Sequence, residues 1–406
     1  MDRNPAVLYK TLVVGVIILF IGLGVQPTIA IDNPILQIRF GKTLYVGGTE
    51  PGNYTKIQDA INNASDGDTV FVYSGTYYEN IIINNSICLN GEDKNTTVID
   101  GGGNGDVVTV TADWVNISGF TVQNSGDWRT EAGFDLISNH NRIKDNIISN
   151  NGDGIELHES SENSISKNII SLNEEGGIDI DKSNYNIFMM NNIFQNKYYG
   201  ILVFNSNSNI ITNNEIYENK LHGINIQNGS NNRIICNKIY GHKSISNVWG
   251  IFTFKENSCN IISENTISDN WGAIDYMGVN SMISNNKIIN NTNYGIFLDS
   301  PGWLPCKNNT ITNNNIQNNE EYGLILNSAN HNIIESNNFI GNKIQASFIF
   351  SKKNNWDKNY WDDWIGTKIK LPIFQKFPKI IFGRGILILI PSFNFDWHPA
   401  KEPYYI

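Results

Sequence analysis

GIDIDKSNYNIFMMNNIFQNKYYGILVFNSNSNIITNNEIYENKLHGINIQ, residues 177–227, runs through one pattern three times. Gly177, Gly200 and Gly223 each open a run whose first and third following residues are apolar: Ile178 and Ile180, Ile201 and Val203, Ile224 and Ile226. That alternation is the period of a strand with one buried face. The same anchor recurs at Gly133, Gly154, Gly250, Gly295 and Gly323, with Ala273 and Ala346 in its place twice, at intervals of 21, 23, 23, 23, 27, 23, 22, 28 and 23. A second short strand follows in each unit, as at Asn163–Ile165 and Asn168–Ile169. Units of this length have no room for a crossover helix. Each must be one turn of strands and tight bends, with the next turn laid on it at about 4.8 Å, so the fold class is all-β, a parallel β-helix.

The asparagines have the same period. Nine residues before an anchor stand Asn168, Asn191, Asn214, Asn286, Asn314 and Asn337; four before stand Asn150, Asn173, Asn196, Asn219, Asn291, Asn319 and Asn342. These predict two vertical columns in which each amide donates to and accepts from its neighbour one turn away, with Asn also suiting left-handed bends.

Composition agrees. Of 406 residues about one in six is Asn, with nearly as many Ile, a pair that disfavours helix and favours turns and strands. The formal net charge is −10 and no cluster of Lys and Arg occurs, which argues against a nucleic-acid partner. Residues 1–30 combine Arg3 and Lys10 with an apolar stretch from Thr11 to Val25, the pattern of a signal peptide or, if uncleaved, an N-terminal membrane anchor. Either places the rest outside the cytoplasm. Cys88, Cys236, Cys259 and Cys306 show no metal or redox spacing.

Two caps flank the array. Ile57, Ala60, Ile61 and Ala64 share one face of a short predicted capping helix within 54–64, and the regular turns are expected to start at Asp68. From Asn355 the repeat is expected to give way to an irregular tail rich in Trp, Phe, Ile and Pro. The resulting division is 1–30 leader or anchor, 31–105 N-terminal cap and first turns, 106–353 repeats, and 354–406 C-terminal cap and tail.

With the 23-residue turns, the segments Ile57–Ile61, Asp66–Val70 and Gly75–Tyr77, and the closing Asn359-Tyr360-Trp361-Asp362-Asp363, the chain after residue 43 resembles the NosD family. NosD is an accessory protein of nitrous-oxide reductase maturation. More broadly the chain is similar to the carbohydrate-binding and sugar-hydrolase repeats of the pectin-lyase-like superfamily. The resemblance implies a right-handed helix, as the rule for parallel connections also does. It specifies fold better than function. Copper, which a literal NosD likeness would imply, lacks grouped His, Met or Cys ligands here.

Outward positions of stacked turns form ladders. The second residue after the anchor reads Asp135, Glu156, Asp179, and the fourth adds His158 and Asp181. This cluster is the candidate for acid/base cleavage of a polysaccharide, or for a Ca²⁺ site, against a plain solvated acidic face. The residue before each anchor gives Tyr199, His222, Trp249, Tyr294 and Tyr322, a column on which sugar rings would stack or which packs on itself. Phe204, Phe252, Phe254 and Phe297 make an outward apolar strip that the tail from Ile369 to Phe395 is expected to cover. Insertions at 125–131 and 243–248 are expected to wall the aromatic column, with a third at 300–306 on another corner. Arg142-Ile143-Lys144 echoes a polygalacturonase element without its companions. Arg129 and Arg142 are the basic residues nearest the acids for a lyase, and Asp357, Asn359, Asp362 and Asp363 offer oxygens in the cap.

The leading expectation is an exported, non-catalytic binding module of the cell envelope or medium, for a glycan. A polysaccharide lyase or glycoside hydrolase, and a maturation or adhesion partner of another envelope protein, are the alternatives.

Overall fold

A computed structural model describes residues 41–126, 131–369, 371–384 and 391–406. The leader reading at 1–30, the insertion residues 127–130 with Trp128 and Arg129, and residues 370 and 385–390 of the tail lie outside the described residues. Among those described, no helix is long and apolar enough to cross a membrane.

Each turn supplies three strands, and each strand pairs in parallel with its equivalent one turn on. Asp153–His158, Ser164–Ser166 and Ile169–Ser171 of one turn lie against Ile178–Asp181, Ile187–Met189 and Asn192–Phe194 of the next. The expected registers hold: Ile178↔Ile201↔Ile224↔Ile251 and Ile180↔Val203↔Ile226 are vertical neighbours. Their side chains fill the interior with no exposure, together with Ile165, Phe188, Ile211 and Ile234 from the second strand and Ile170, Ile193, Ile216 and Ile239 from the third. β-branched Ile suits this position because it packs both across the interior and along the axis against the same side chain in the next turn.

The asparagines form three ladders, one more than expected. Asn191 shows the rule: its backbone N–H and its side-chain Nδ2 both donate to Asn214 Oδ1, at 2.9 and 3.0 Å, and Nδ2 donates again to the Ile165 carbonyl at 2.9 Å. The unexpected ladder runs through Asn141, Asn163, Asn186, Asn209, Asn232 and Asn260. Asn150 is a correction. The ladder member in that turn is Asn151, whose N–H donates to Asn173 Oδ1, because the bend before Gly154 is one residue shorter. The left-handed bend is also displaced by one residue. It falls on the residue before the ladder Asn, such as Lys167, Met190 or Asn213, and not on the ladder Asn itself. His242 replaces Asn in one ladder. Its Nδ1 faces Asn270 Oδ1 at 2.9 Å and its Nε2 faces Asn219 Nδ2 at 3.3 Å, so the Nδ1–H tautomer serves both. Burial pushes that imidazole down to about 4, which keeps it neutral as the ladder requires.

The anchor glycines are explained by space. A Cβ on Gly200 would lie 2.5 Å from the Gly223 carbonyl oxygen, 2.6 Å from Ile216 Cγ2 and 3.0 Å from Asn219 Nδ2. Gly200→Ala is therefore expected to destabilise the protein by about 2–3 kcal/mol, read as a lower urea midpoint with unchanged slope. An unchanged midpoint would show that the turns can slide apart at this corner.

Both caps differ in detail from expectation. The helix is Ile57–Asn63, with Ile57, Ala60 and Ile61 buried as predicted, but the strand Thr43–Val46 precedes it and already pairs with Thr69–Val72. The solenoid therefore begins one turn earlier than Asp68. At the other end the repeat continues past 354: Asn355–Asp357 and Tyr360–Trp361 extend two of the sheets. Asn359 is the last amide of its ladder, donating from its backbone and side chain to Asp396 Oδ2 at 2.9 and 3.1 Å, where Trp361 Nε1 also donates at 3.0 Å. Asp396 thus closes the ladder with an acceptor. The tail strands Lys379–Arg384 and Pro391–Asp396 form a hairpin continuing the stack beyond Ile344–Ile349 and Asn355–Asp357. The predicted cover over the Phe strip is overturned, because the tail pairs with the open end of the sheets.

Candidate acidic and aromatic site

The acidic side chains come from one column of strands: Ala132–Leu136, Asp153–His158 and Ile178–Asp181. Asp135 pairs with Glu156 and Glu156 with Asp179, while His158 pairs with Asp181. The flanking residues, Phe134, Leu136, Ile155, Leu157, Ile178 and Ile180, are wholly buried, so the strand alternation forces the carboxylates outward. Thr109 and Leu202 bound the ladder below and above.

Partial burial in a like-charged line raises proton affinity. Desolvation, then Asp106 and Glu156, push Asp135 up to about 7. Desolvation, then Asp179 and Asp106, push Glu156 up to about 7. Asp179 reaches about 6, through desolvation and then Asp181. His158 opposes the first two, and its Nδ1 lies 3.3 Å from Asp181 Oδ2. Near neutral pH the line therefore holds protonated and ionised carboxyls together.

Asp106 and Asp153 belong to the same patch and were missed by sequence reasoning. Both occupy the position before the inward strand residues. Asp106 Oδ1 accepts the Ala132 N–H and Asp153 Oδ1 accepts the Gly176 N–H, each at 2.7 Å. His222 does the same for Trp249, its Nδ1 accepting that N–H at 3.0 Å. The signal was present: Asp153 stands directly before Gly154, in the very column from which Tyr199 and His222 were picked. Burial, reinforced by Asp179, raises Asp153 well above the usual carboxylate range.

The aromatic column divides in two. Tyr199 stacks on His222 at 5.9 Å, and His222 stacks onward to Phe252 at 4.4 Å, not to Trp249. Burial pushes His222 down to about 3, so it is a neutral, packed ring. Trp249, Tyr294 and Tyr322 form the second group, stacked at 5.5 and 5.7 Å. Trp249 is a correction: at 1 % exposure, with Trp271 edge-on at 5.2 Å, it has no free face for a sugar. The insertion at 243–248, expected to leave that ring open behind a wall, brings Asn247 Oδ1 to 3.2 Å from the Trp249 indole N–H. Of the five, Tyr199 opens onto the acidic ladder. It lines a cavity of about 220 Å³ with Asp153, Asp179, Tyr198 and Leu202.

The Ca²⁺ reading of Asp135, Glu156, His158, Asp179 and Asp181 is not supported by the geometry. Among the described residues no three His, Cys, Asp or Glu side chains are grouped to hold a metal ion. Parallel side chains about 4.8 Å apart form a line, whereas Ca²⁺ needs six to eight oxygens around a point. The cap carboxylates are also engaged: Asp357 with His398 Nδ1 at 2.7 Å, Asp362 with the Gly341 N–H at 2.6 Å, and Asp363 with Lys379 at 2.5 Å. Ile143 is buried between exposed Arg142 and Lys144, an ordinary inward strand residue.

No curated protein matches the chain. Among solved structures it resembles the A-module of the mannuronan C-5 epimerase AlgE6 of Azotobacter vinelandii, with TM-score 0.63 and 18% identity over 74% of this chain and 93% of that one. It also resembles the Dettilon tailspike protein, with TM-score 0.61 and 16% identity over 77% and 68%. The catalytic domain of a GH87 α-1,3-glucanase follows at 0.54 and 14% identity over 82% and 71%. At these identities the likeness is one of fold. The sequence itself matches the family described as "Right handed beta helix region" over residues 103–257 and 245–359. With the stacked parallel turns described above, that match makes the chain a member of the right-handed β-helix family.

Proposed function

We propose that this is a NosD-like, extracytoplasmic β-helix protein that binds a carbohydrate along the Asp135–Asp179 face without cleaving it. The observation that carries this reading is the opening of Asp179 and Tyr199 into one cavity on a rigid strand face, an aromatic plane beside hydrogen-bonding carboxyls. The line of acids selects against polyuronates, so the glycan is neutral or carries amino groups. Export rests on the leader at 1–30. Membrane attachment, if the leader is retained, occurs through that segment alone.

One observation favours a second reading, glycan cleavage as a lyase or hydrolase. Carboxyls at about 6 and about 7 in one line provide an acid and a base at neutral pH. A glycan array with product analysis separates the readings. The expected result is retention of neutral or amino-sugar glycans, weakened at least tenfold in Tyr199→Ala and Asp179→Asn, with no shortened product. Products that vanish in Glu156→Gln would replace binding by catalysis. An empty array beside a copurifying envelope protein would overturn both in favour of a maturation or adhesion role.

A further inference from the structure

A second cavity, of about 340 Å³, lies farther along the molecule where the 300–306 insertion departs from the repeat. The inserted loop is held at its neck: Ser300 Oγ donates to the Leu304 carbonyl at 2.6 Å, and Leu304 and Cys306 are buried. Between these fixed points Trp303 stands 66% exposed. A loop so anchored that still spends its largest apolar side chain on solvent has a surface role.

The rings connect this loop to the acidic cavity. From Tyr199 the contacts run to His222 at 5.9 Å, to Phe252 at 4.4 Å, to Phe254 at 6.4 Å and to Trp303 at 6.2 Å. From Tyr199 through His222 to Phe252 the line climbs successive turns about 4.8 Å apart. From Phe252 to Phe254 it steps along a single strand, Trp249–Phe254, and there it meets Trp303, which reaches back from the loop after Tyr294–Asp299, two turns on. At its far end Asn228, Ser230, Lys255, Glu256 and Ser258 share the cavity with Trp303. Asn228 Nδ2 is used by Asn205 Oδ1 at 2.8 Å, leaving its own oxygen as an acceptor. The two serine hydroxyls share one bond at 2.8 Å, leaving one of their protons. Lys255 and Glu256 cancel in charge.

We propose that Trp303 and this cavity form a second saccharide subsite, taking the distal units of a neutral oligosaccharide whose other end lies at Tyr199. The inference rests on the glycan reading of the face. The Trp303 plane stacks on the apolar face of a pyranose ring, while Asn228 and Glu256 accept its hydroxyls. A neutral sugar matches a lining with no net charge.

The test uses the full chain with cellohexaose, maltohexaose and mannohexaose as probes, against the matching disaccharides. The Trp303 signal is isolated as the difference between wild type and Trp303→Phe in acrylamide quenching. The expected result is protection of that signal by at least one hexasaccharide, with affinity at least tenfold above its disaccharide and at least tenfold lower in Trp303→Ala, whose melting temperature is unchanged. Hexasaccharide binding lost in Asp179→Asn but intact in Trp303→Ala would overturn the subsite and leave the face reading standing. Binding lost in Trp303→Ala but intact in Asp179→Asn and Tyr199→Ala would keep the pocket and overturn the connected groove. No binding of any probe would overturn the subsite for these neutral glycans, and the array described above then decides the face reading separately.

Discussion

Asn214→Ala is expected to cost about 3–5 kcal/mol of stability, the largest effect of any single substitution considered, although it removes one small polar side chain far from any cavity. Its Oδ1 accepts from Asn191 twice, at 2.9 and 3.0 Å, and its Nδ2 donates to the Phe188 carbonyl at 2.9 Å and to Asn237 Oδ1 at 3.0 Å. Alanine leaves two donors and two acceptors short of a partner, at a residue only 1% exposed where water cannot substitute. Asn214→Asp discriminates further. A carboxylate still accepts from Asn191 but turns two acceptors, Phe188 O and Asn237 Oδ1, against a third. The expected loss grows as pH rises and is partly recovered in acid, where a protonated carboxyl donates once. Urea denaturation of the three proteins at pH 4 and pH 8 measures this. A loss under 1 kcal/mol in Asn214→Ala would show that the ladder is an ornament of the corner and not its support.

The second large effect is of opposite sign. Glu156→Gln is expected to stabilise the protein at pH 8 by about 1–2 kcal/mol, a figure discounted for the partial exposure of the group. The folded-state value is raised, to about 7, so the proton binds the folded chain more tightly than the unfolded one. That contribution is fully present below the unfolded glutamate value near 4.3, and it fades as pH rises through about 7. Asp135, at about 7, and Asp179, at about 6, act in the same window and in the same direction. Wild type should therefore lose stability between pH 4 and pH 8, and Glu156→Gln should flatten part of that slope. Equal slopes in both proteins would mean the acids are solvated and unstrained.

The fold was legible because its signal is periodic and redundant. Ile178, Ile201 and Ile224 repeat the same choice at the same spacing, and the inward strands follow directly. The acidic ladder was legible for the same reason, since one period makes Asp135, Glu156 and Asp179 vertical neighbours. Position within a bend was harder to read. Asn150 was taken for Asn151 because bends shorten by single residues without disturbing the strands, and the third ladder was hidden among the other asparagines. Burial of an outward residue was not legible at all. Trp249 and Tyr199 hold equivalent places before their anchors, yet Trp271, from the next turn, lies edge-on against the first and buries it, while the second lines the cavity beside Asp179. Spacing assigns a side chain to a face; what lies over that face depends on neighbours the period does not encode.

The ladder also fixes how such a chain can change length over generations. From Asn168 to Asn191 to Asn214 to Asn237 each amide hands its bond to one 23 residues later. A duplication or deletion of that whole block returns every donor to an acceptor, while changes of a residue or more are taken up in the bends, as between Asn151 and Asn173, 22 apart, and between Asn265 and Asn286, 21 apart, where the ladder bonds persist. Heredity can lengthen this molecule in steps of a full coil, and the terminal acceptor at Asp396 will close whichever coil happens to be last.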